Sequence, residues 1–216
     1  MAPNGRIILN EIFFSLQGES SRQGLPCVLV RLTGCNLRCG YCDTTYAYQE
    51  GKDVPIDEIV ERVKAFGCRL VEITGGEPMA QPGTAALARR LLDLDFTVMV
   101  ETNGSFDISA LPYGVIKIVD IKTPGSGAGK SFWWDNLKHL GEKDEIKFVI
   151  TSHADFEWAV RQVKKHGLAD NHVVNISPAA GMVPEADAAR WILESGLPLR
   201  LNLQLHRTLW GTRRAV

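Results

Sequence analysis

Along this chain of 216 residues, short apolar runs rich in β-branched residues alternate with stretches of helical periodicity, and that alternation is what most limits the possible folds. The runs are "CVLVRLTG" (27–34), "LVEITGG" (70–76), "TVMVETNG" (97–104), "VIKIVDIK" (115–122), "EIKFVITS" (145–152), "HVVNISP" (172–178) and "LRLNLQLH" (199–206). Among them lie amphipathic stretches: "DEIVERVKAFG" (57–67), "TAALARRLLDL" (84–94), "ADFEWAVRQVKKHG" (154–167) and "EADAARWILESG" (185–196). In the first, Asp57 is expected to cap the start, Ile59, Val60, Val63 and Phe66 to share the inner face, and Gly67 to end the helix. Strand, helix, strand in repetition predicts parallel strands joined by right-handed crossovers. The expected fold class is α/β. A single domain, 1–216, forms a truncated (β/α)6-type partial barrel, smaller than the typical ~250-residue eightfold one.

On this reading polar, often glycine-containing stretches fall at the carboxyl ends of the strands, where such sheets bind ligands. They are "TGGEP", "ETNG", "DIKTPGSG", "TSH", "SPAAG" and "QLHR". Charge is nearly balanced, 24 Lys plus Arg against 25 Asp plus Glu, which argues against a broad basic face for nucleic acid or membrane. The basic tail "TRRAV" is expected to be solvated. No run reaches the roughly 18–20 apolar residues of a membrane span, and "MAPNGRIILNEIFF" lacks the features of a secretory signal. A cytoplasmic protein with reduced thiols is the expectation.

"GCNLRCGYCDT" (34–44) then places Cys35, Cys39 and Cys42 within eight positions. Five cysteines, three of them clustered, do not form a disulfide framework. Structural zinc would need a fourth ligand from afar, such as Asp43, Cys27, Cys68 or a histidine. A redox dithiol would use Cys39 and Cys42 and leave Cys35 idle. A cubane iron–sulfur cluster held by three thiolates would leave its fourth iron open for chemistry. Cys27 and Cys68 read as small buried hydrophobes.

Arg31 interrupts a strand that is otherwise apolar on both faces, so its guanidinium needs an anion: Glu11, Glu19 or Glu72 from within, or a substrate carboxylate. Upstream, "EIFFSLQGES" (11–20) ends a strand-like run in a polar turn, where Gln17 and Glu19 could read the edge of a heterocycle. In "TGGEP", Gly75 and Gly76 allow close backbone approach, and Glu77 and Pro78 suit the start of a helix.

The C-x3-C-x2-C spacing, with Tyr41 before the last cysteine, resembles the signature of the radical S-adenosylmethionine (radical SAM) superfamily. That resemblance implies a partial barrel of the radical SAM kind. It also implies a 4Fe-4S cluster on Cys35, Cys39 and Cys42 whose open iron is chelated by SAM, with Tyr41 and Asp43 beside the cofactor. Gly75, Gly76 and Glu77 match the motif that binds the SAM amino group; Asp120, Lys122 and Ser177 match ribose and carboxylate contacts.

The order "SLQGE … Arg31 … CNLRCGYCDT … TGGEP … ETNG … DIK … ISP … QLH" is more particular and resembles the 7-carboxy-7-deazaguanine synthase family of 7-deazapurine (queuosine-type) biosynthesis. The resemblance implies conversion of 6-carboxy-5,6,7,8-tetrahydropterin to 7-carboxy-7-deazaguanine with loss of ammonia, initiated by a 5′-deoxyadenosyl radical. It carries substrate contacts onto Leu16, Gln17, Gly18, Glu19, Arg31, Thr74 and His206, and a Mg2+ ligand onto Thr44. It further implies a homodimer and an external one-electron reductant of flavodoxin or ferredoxin type, with no nucleic-acid or membrane partner. Two alternatives accompany this reading: a radical SAM activase acting on a partner protein, and a non-enzymatic zinc-binding module.

Overall fold

The computed structural model describes residues 5–216. Among the described residues nine strands form one sheet: β1 (Arg6–Leu16), β2 (Pro26–Leu32), β3 (Lys52–Pro55), β4 (Leu70–Gly75), β5 (Thr97–Thr102), β6 (Ile116–Asp120), β7 (Glu145–Ile150), β8 (Val173–Pro178) and β9 (Leu199–Leu201). Their spatial order is β3-β1-β2-β4-β5-β6-β7-β8-β9. From β2 to β9 every neighbour is parallel, whereas β1 runs antiparallel to both β2 and β3. The sheet is open: β3 and β9 lie at opposite ends of the order and do not pair. This is the partial barrel expected, extended at one edge by an antiparallel pair that the strand–helix alternation does not announce.

The helices are α1 (Ile56–Ala65), α2 (Thr84–Leu92), α3 (His153–His166), α4 (Leu168–Asn171), α5 (Glu185–Ser195) and α6 (Leu205–Trp210). The longer ones bury an apolar stripe against the sheet, as Ile59, Val60 and Val63 of α1 and Leu87, Ala88 and Leu91 of α2 show. None is long and apolar enough to cross a membrane. Ser152 caps α3 by accepting the Asp155 amide, and Gly167 ends it in the left-handed region at φ 61°.

Four local expectations change. Pro55, not Asp57, occupies the cap of α1 and makes no side-chain cap bond; Asp57 sits in the first turn, where its charge suits the helix dipole. Phe66 is 40% exposed and stacks on Phe14 instead of entering the core. The connections β5–β6 and β6–β7 contain no α-helix, the second holding only the short turns Pro124–Ser126 and Trp134–His139. Finally, "LRLNLQLH" is not one strand. Its period-two pattern breaks at Leu201 because fully buried Asn202 turns to Ser177, and Leu205 and His206 begin α6.

The inner face of the sheet is where the fold makes a site. Alternation along the strands turns Leu29 and Arg31, Glu72 and Thr74, Glu101, Asp120, Lys147 and Val149 into a common hollow. Its floor is closed by a small apolar cluster of Met99, Ile116 and Ile118 with Leu70 packed against it. The larger core lies on the other face, beneath the helices.

Candidate active site

One cavity of about 730 Å³ opens on this inner face, near the upper end of the roughly 300–1,000 Å³ usual for ligand sites. Five of the six expected rim stretches contribute to it; "TSH" does not, because Thr151 is bonded to Asp155 and Ser152 is spent capping α3. The tail expected to be solvated does contribute. Gly211 to Val216 line the opening, Arg214 lies 3.5 Å from the Tyr46 ring centroid, and Ser15 donates to the Val216 carbonyl oxygen.

Cys35, Cys39 and Cys42 all line the cavity and are free thiols. Burial raises the pKa of Cys35 and Cys39, so holding them as thiolates calls for a bound cation. The Leu37 amide already donates to the Cys35 sulfur at 3.4 Å. Among the described residues, no three His, Cys, Asp or Glu side chains are arranged to hold one metal ion. Three sulfurs kept apart on one loop suit a polynuclear cluster, whose irons share the ligands, better than a single zinc. Cys27 is fully buried, while Cys68 is half-buried at the core's margin and bonded to the Pro26 carbonyl, so only the first fits the expectation for both.

"TGGEP" clamps onto the start of the cysteine loop. Gly76 and Glu77 donate their amides to the Leu32 and Gly34 carbonyls at 3.0 and 2.7 Å. A Cβ on Gly76 would lie 2.0 Å from the Gly34 oxygen, so any side chain here pushes the loop away. Gly75, Gly76 and Thr74 face the cavity. Glu77 does not: it is fully buried, and its carboxylate accepts from the Met79 and Asn103 amides and the Thr102 hydroxyl. It braces β4 to β5 behind the wall, with both carboxylate oxygens engaged. Ser177 departs in the same way, exchanging both its hydrogen bonds with buried Asn202 away from the cavity.

Asp120 and Lys122 pair at 2.8 Å, and the Lys122 ammonium lies 5.5 Å from the Tyr41 ring centroid. The Tyr41 hydroxyl and Asp120 Oδ1 are buried without any hydrogen-bond partner. Two such orphaned polar atoms, sealed behind one cavity wall, are a cost that folded proteins seldom carry away from a functional site. Asp43 lies 3.5 Å from His206 Nε2; although burial opposes ionisation, His206 and Arg31 hold its carboxyl down at about 2. Thr44 also lines the cavity, its hydroxyl 3.3 Å from Asp43 Oδ1.

On the other side, Arg31 gives its Nε to Glu11 at 2.7 Å and lies between the Phe13 and Tyr46 rings. Of the two sequence readings, the structure shows the internal one. The internal partner is Glu11, and the two terminal nitrogens have no protein acceptor among the described residues of the cavity they line. Burial disfavours the charge, yet Tyr46 and Glu11 hold the guanidinium pKa above its ordinary value.

Leu16, Gln17, Gly18 and Glu19 form the adjoining wall. Gly18 lies under His206, where a Cβ would come 2.3 Å from the imidazole Nδ1. His206 is thus on a helix at the cavity, not in the apolar strand expected for it. Gln17 and Glu19 are otherwise engaged than expected: Gln17 donates to Glu72 and accepts the Glu19 amide, while Glu19 accepts from Lys147 at 2.6 Å and Gln204 at 3.0 Å. That leaves little of either side chain to read a heterocycle.

Sequence reasoning missed Lys147, the hub of the site. Its buried ammonium touches Glu19 and Glu101 and lies 3.5 Å from Asp120. Burial opposes its charge, but Glu101, Glu19 and Asp120 raise its pKa well above the ordinary lysine value. Against their burial, the same ammonium keeps Glu19 below the usual carboxylate range, and Lys122 with Lys147 does so for Asp120. The signal was present: Lys147 interrupts "EIKFVITS" just as Arg31 interrupts its strand, and Glu72 and Glu101 interrupt theirs.

A profile described as "Radical SAM superfamily" matches residues 29–113, the stretch holding the cysteine loop and "TGGEP". Partial barrel, cysteine trio and cavity together define a radical SAM enzyme with an iron–sulfur cluster and SAM as its cofactors. Curated relatives named 7-carboxy-7-deazaguanine synthase include one from Koribacter versatilis, 43% identical over 94% of this chain and 96% of the relative. Another, from Chlorobaculum tepidum, is 40% identical over 98% and 97%. The chain belongs to the 7-carboxy-7-deazaguanine synthase family, a radical SAM lyase family. Among solved structures, QueE from Escherichia coli shares the fold at a TM-score of 0.78 and 23% identity, covering 93% of this chain and 95% of that one. SuiB from Streptococcus suis bound to its precursor peptide SuiA matches less fully, with TM-score 0.56, 14% identity, and 81% and 47% coverage.

Proposed function

We propose that this enzyme converts 6-carboxy-5,6,7,8-tetrahydropterin into 7-carboxy-7-deazaguanine and ammonia, using SAM as a radical cofactor and Mg2+ as an electrophilic aid. The observation that carries the reading is that one cavity holds both the cysteine trio and Arg31's two free guanidinium nitrogens. A radical generator and a receptor for a substrate carboxylate share one enclosure. Cys35, Cys39 and Cys42 would hold the iron–sulfur cluster, which when bound and reduced would supply the electron for cleaving SAM.

The chain's own residues then orient and enclose. Tyr41, Asp43, Gly75, Gly76, Asp120 and Lys122 line the cofactor side, with Glu77 and Ser177 bracing from behind. Leu16, Gln17, Gly18, Glu19, Thr74 and His206 shape the substrate side, where Arg31 grips the carboxylate through two parallel bonds. The Thr44 hydroxyl, at the cavity wall, would serve as a Mg2+ ligand, as suits a hard cation that takes oxygen donors. The electron comes from a flavodoxin- or ferredoxin-type protein, and the working unit is a homodimer.

Protein reconstituted anaerobically with iron and sulfide, then given SAM, Mg2+, a one-electron reductant and the carboxytetrahydropterin, forms 7-carboxy-7-deazaguanine by mass and absorbance. Absence of product with an intact cluster overturns the reading. Arg31→Ala raises the pterin KM about 10- to 100-fold, the range of one lost charge-assisted contact, while SAM cleavage without substrate persists. Equal loss of both activities would make Arg31 structural. Thr44→Ala raises the Mg2+ concentration for half-maximal stimulation about tenfold, and an unchanged Mg2+ titration removes Thr44 from the metal site.

A further inference from the structure

We infer that Glu72 is the specificity-determining residue for the substrate's pyrimidine edge: its carboxyl accepts the ring N–H and exocyclic amino group of the pterin. This rests on the proposed function and names the part of that site which chooses among bicyclic rings.

The two side chains that sequence alone would put on that edge are already engaged, Gln17 with Glu72 and Glu19, and Glu19 with Lys147 and Gln204. Glu72 is the reverse case. It lies in the middle of β4, is 4% exposed, and faces the cavity two residues before Thr74. Gln17 donates to its Oε2, but Oε1 has no hydrogen-bond partner among the described residues and is not among the sealed, orphaned atoms. That oxygen therefore opens into the cavity.

No Lys, Arg or His lies within ion-pair distance of it among the described residues, whereas Glu101, the neighbouring carboxylate, has Lys147. Burial and the like charge of Glu101 push the Glu72 carboxyl up to about 8. A buried carboxyl with an open oxygen and no ion-pair partner among the described residues keeps its proton until a ligand brings N–H donors, which favour the carboxylate and release that proton to solvent. An amino-pyrimidinone edge brings two, side by side, to match the spare lone pairs of one carboxyl. Gln17 then acts as a positioning residue, fixing the carboxyl's rotation, and Arg31 takes the carboxylate of the same substrate.

The test compares the pterin with its deaminated analogue, in which a carbonyl replaces the exocyclic amino group, using reconstituted enzyme with SAM and reductant. Wild type favours the amino compound by about 100-fold in kcat/KM, since the carbonyl would set acceptor against acceptor. Glu72→Gln, whose amide offers a donor, raises the pterin KM about 30-fold and brings the two compounds within about threefold, with SAM affinity unchanged. A variant that keeps both the wild-type KM and the wild-type preference overturns the inference. Should Glu72→Gln fail to fold, wild type decides alone: competitive inhibition by the carbonyl analogue as tight as the pterin KM overturns it, and inhibition about 100-fold weaker supports it. Failure of wild type to convert the pterin at all would instead count against the proposed function.

Discussion

Cys42→Ala protein, reconstituted under the same conditions as wild type, loses its iron, its broad absorbance near ~400 nm and at least about three orders of magnitude of turnover. Cys35→Ala and Cys39→Ala do the same. The three thiols come from one short loop, face one cavity, and have no further cysteine beside them: Cys27 is sealed in the core and Cys68 is bonded to the Pro26 carbonyl. No spare sulfur can take over a lost position. Iron content and visible absorbance report assembly, and 5′-deoxyadenosine formation reports chemistry. A variant that assembled a normal cluster and turned over normally would show that the missing cysteine is not a ligand.

Lys147→Met is expected to destabilise the protein by about 3–5 kcal/mol at neutral pH and to abolish product formation, although no sequence motif marks this lysine. Its ammonium, 4% exposed, is the cation that Glu19 and Glu101 share, and Asp120 lies 3.5 Å away. Removing it leaves buried Glu19 and Glu101 without an ion-pair partner, while Asp120 keeps Lys122. The pH dependence gives the effect a signature. In wild type Glu19 and Asp120 sit below their ordinary values, so the stability they contribute is present above the unfolded carboxylate range and lost as pH falls through their folded values. Lys147 sits above its ordinary value, so its contribution is complete at all pH values below the unfolded lysine range. In the variant Glu19 and Glu101 lose the cation they share and burial pushes their carboxyls up, while Asp120 keeps Lys122 at 2.8 Å, so folding is helped by acid. The gap between wild type and variant in urea unfolding should therefore narrow from pH 7.5 towards pH 4. A gap independent of pH would mean that lost packing, not lost charge, is responsible.

Much of this was legible in the residues, and the parts that were not have physical reasons. Parallel strands from β2 to β8 follow from β-branched apolar runs alternating with helical stretches, which need no partner knowledge to read. The short strand β3 was not readable, because four residues, "KDVP", carry no period and exist as a strand only through pairing with β1. The end of β9 was misread because "LRLNLQLH" alternates perfectly, while buried Asn202 and Leu205's amide bond to Gly18 are tertiary facts. In the site, Cys35, Cys39, Cys42 and Arg31 declare themselves by type and setting. Glu77 and Ser177 illustrate the opposite: a motif fixes which residues stand near a ligand, yet three donors on Glu77's carboxylate and one buried asparagine beside Ser177 decide that neither faces it. Lys147, Glu72 and Glu101 carried the same signal as Arg31, a charge inside an apolar strand, and reading that rule uniformly would have found the floor of the cavity.

The central claim is that three thiolates hold an iron cluster with one iron left for SAM. Electron paramagnetic resonance of the dithionite-reduced, anaerobically reconstituted enzyme, recorded with and without SAM, tests it most directly. A single reduced four-iron signal whose shape changes when SAM is added is the result expected. A signal indifferent to SAM, or a protein that binds one zinc and no iron, would contradict it.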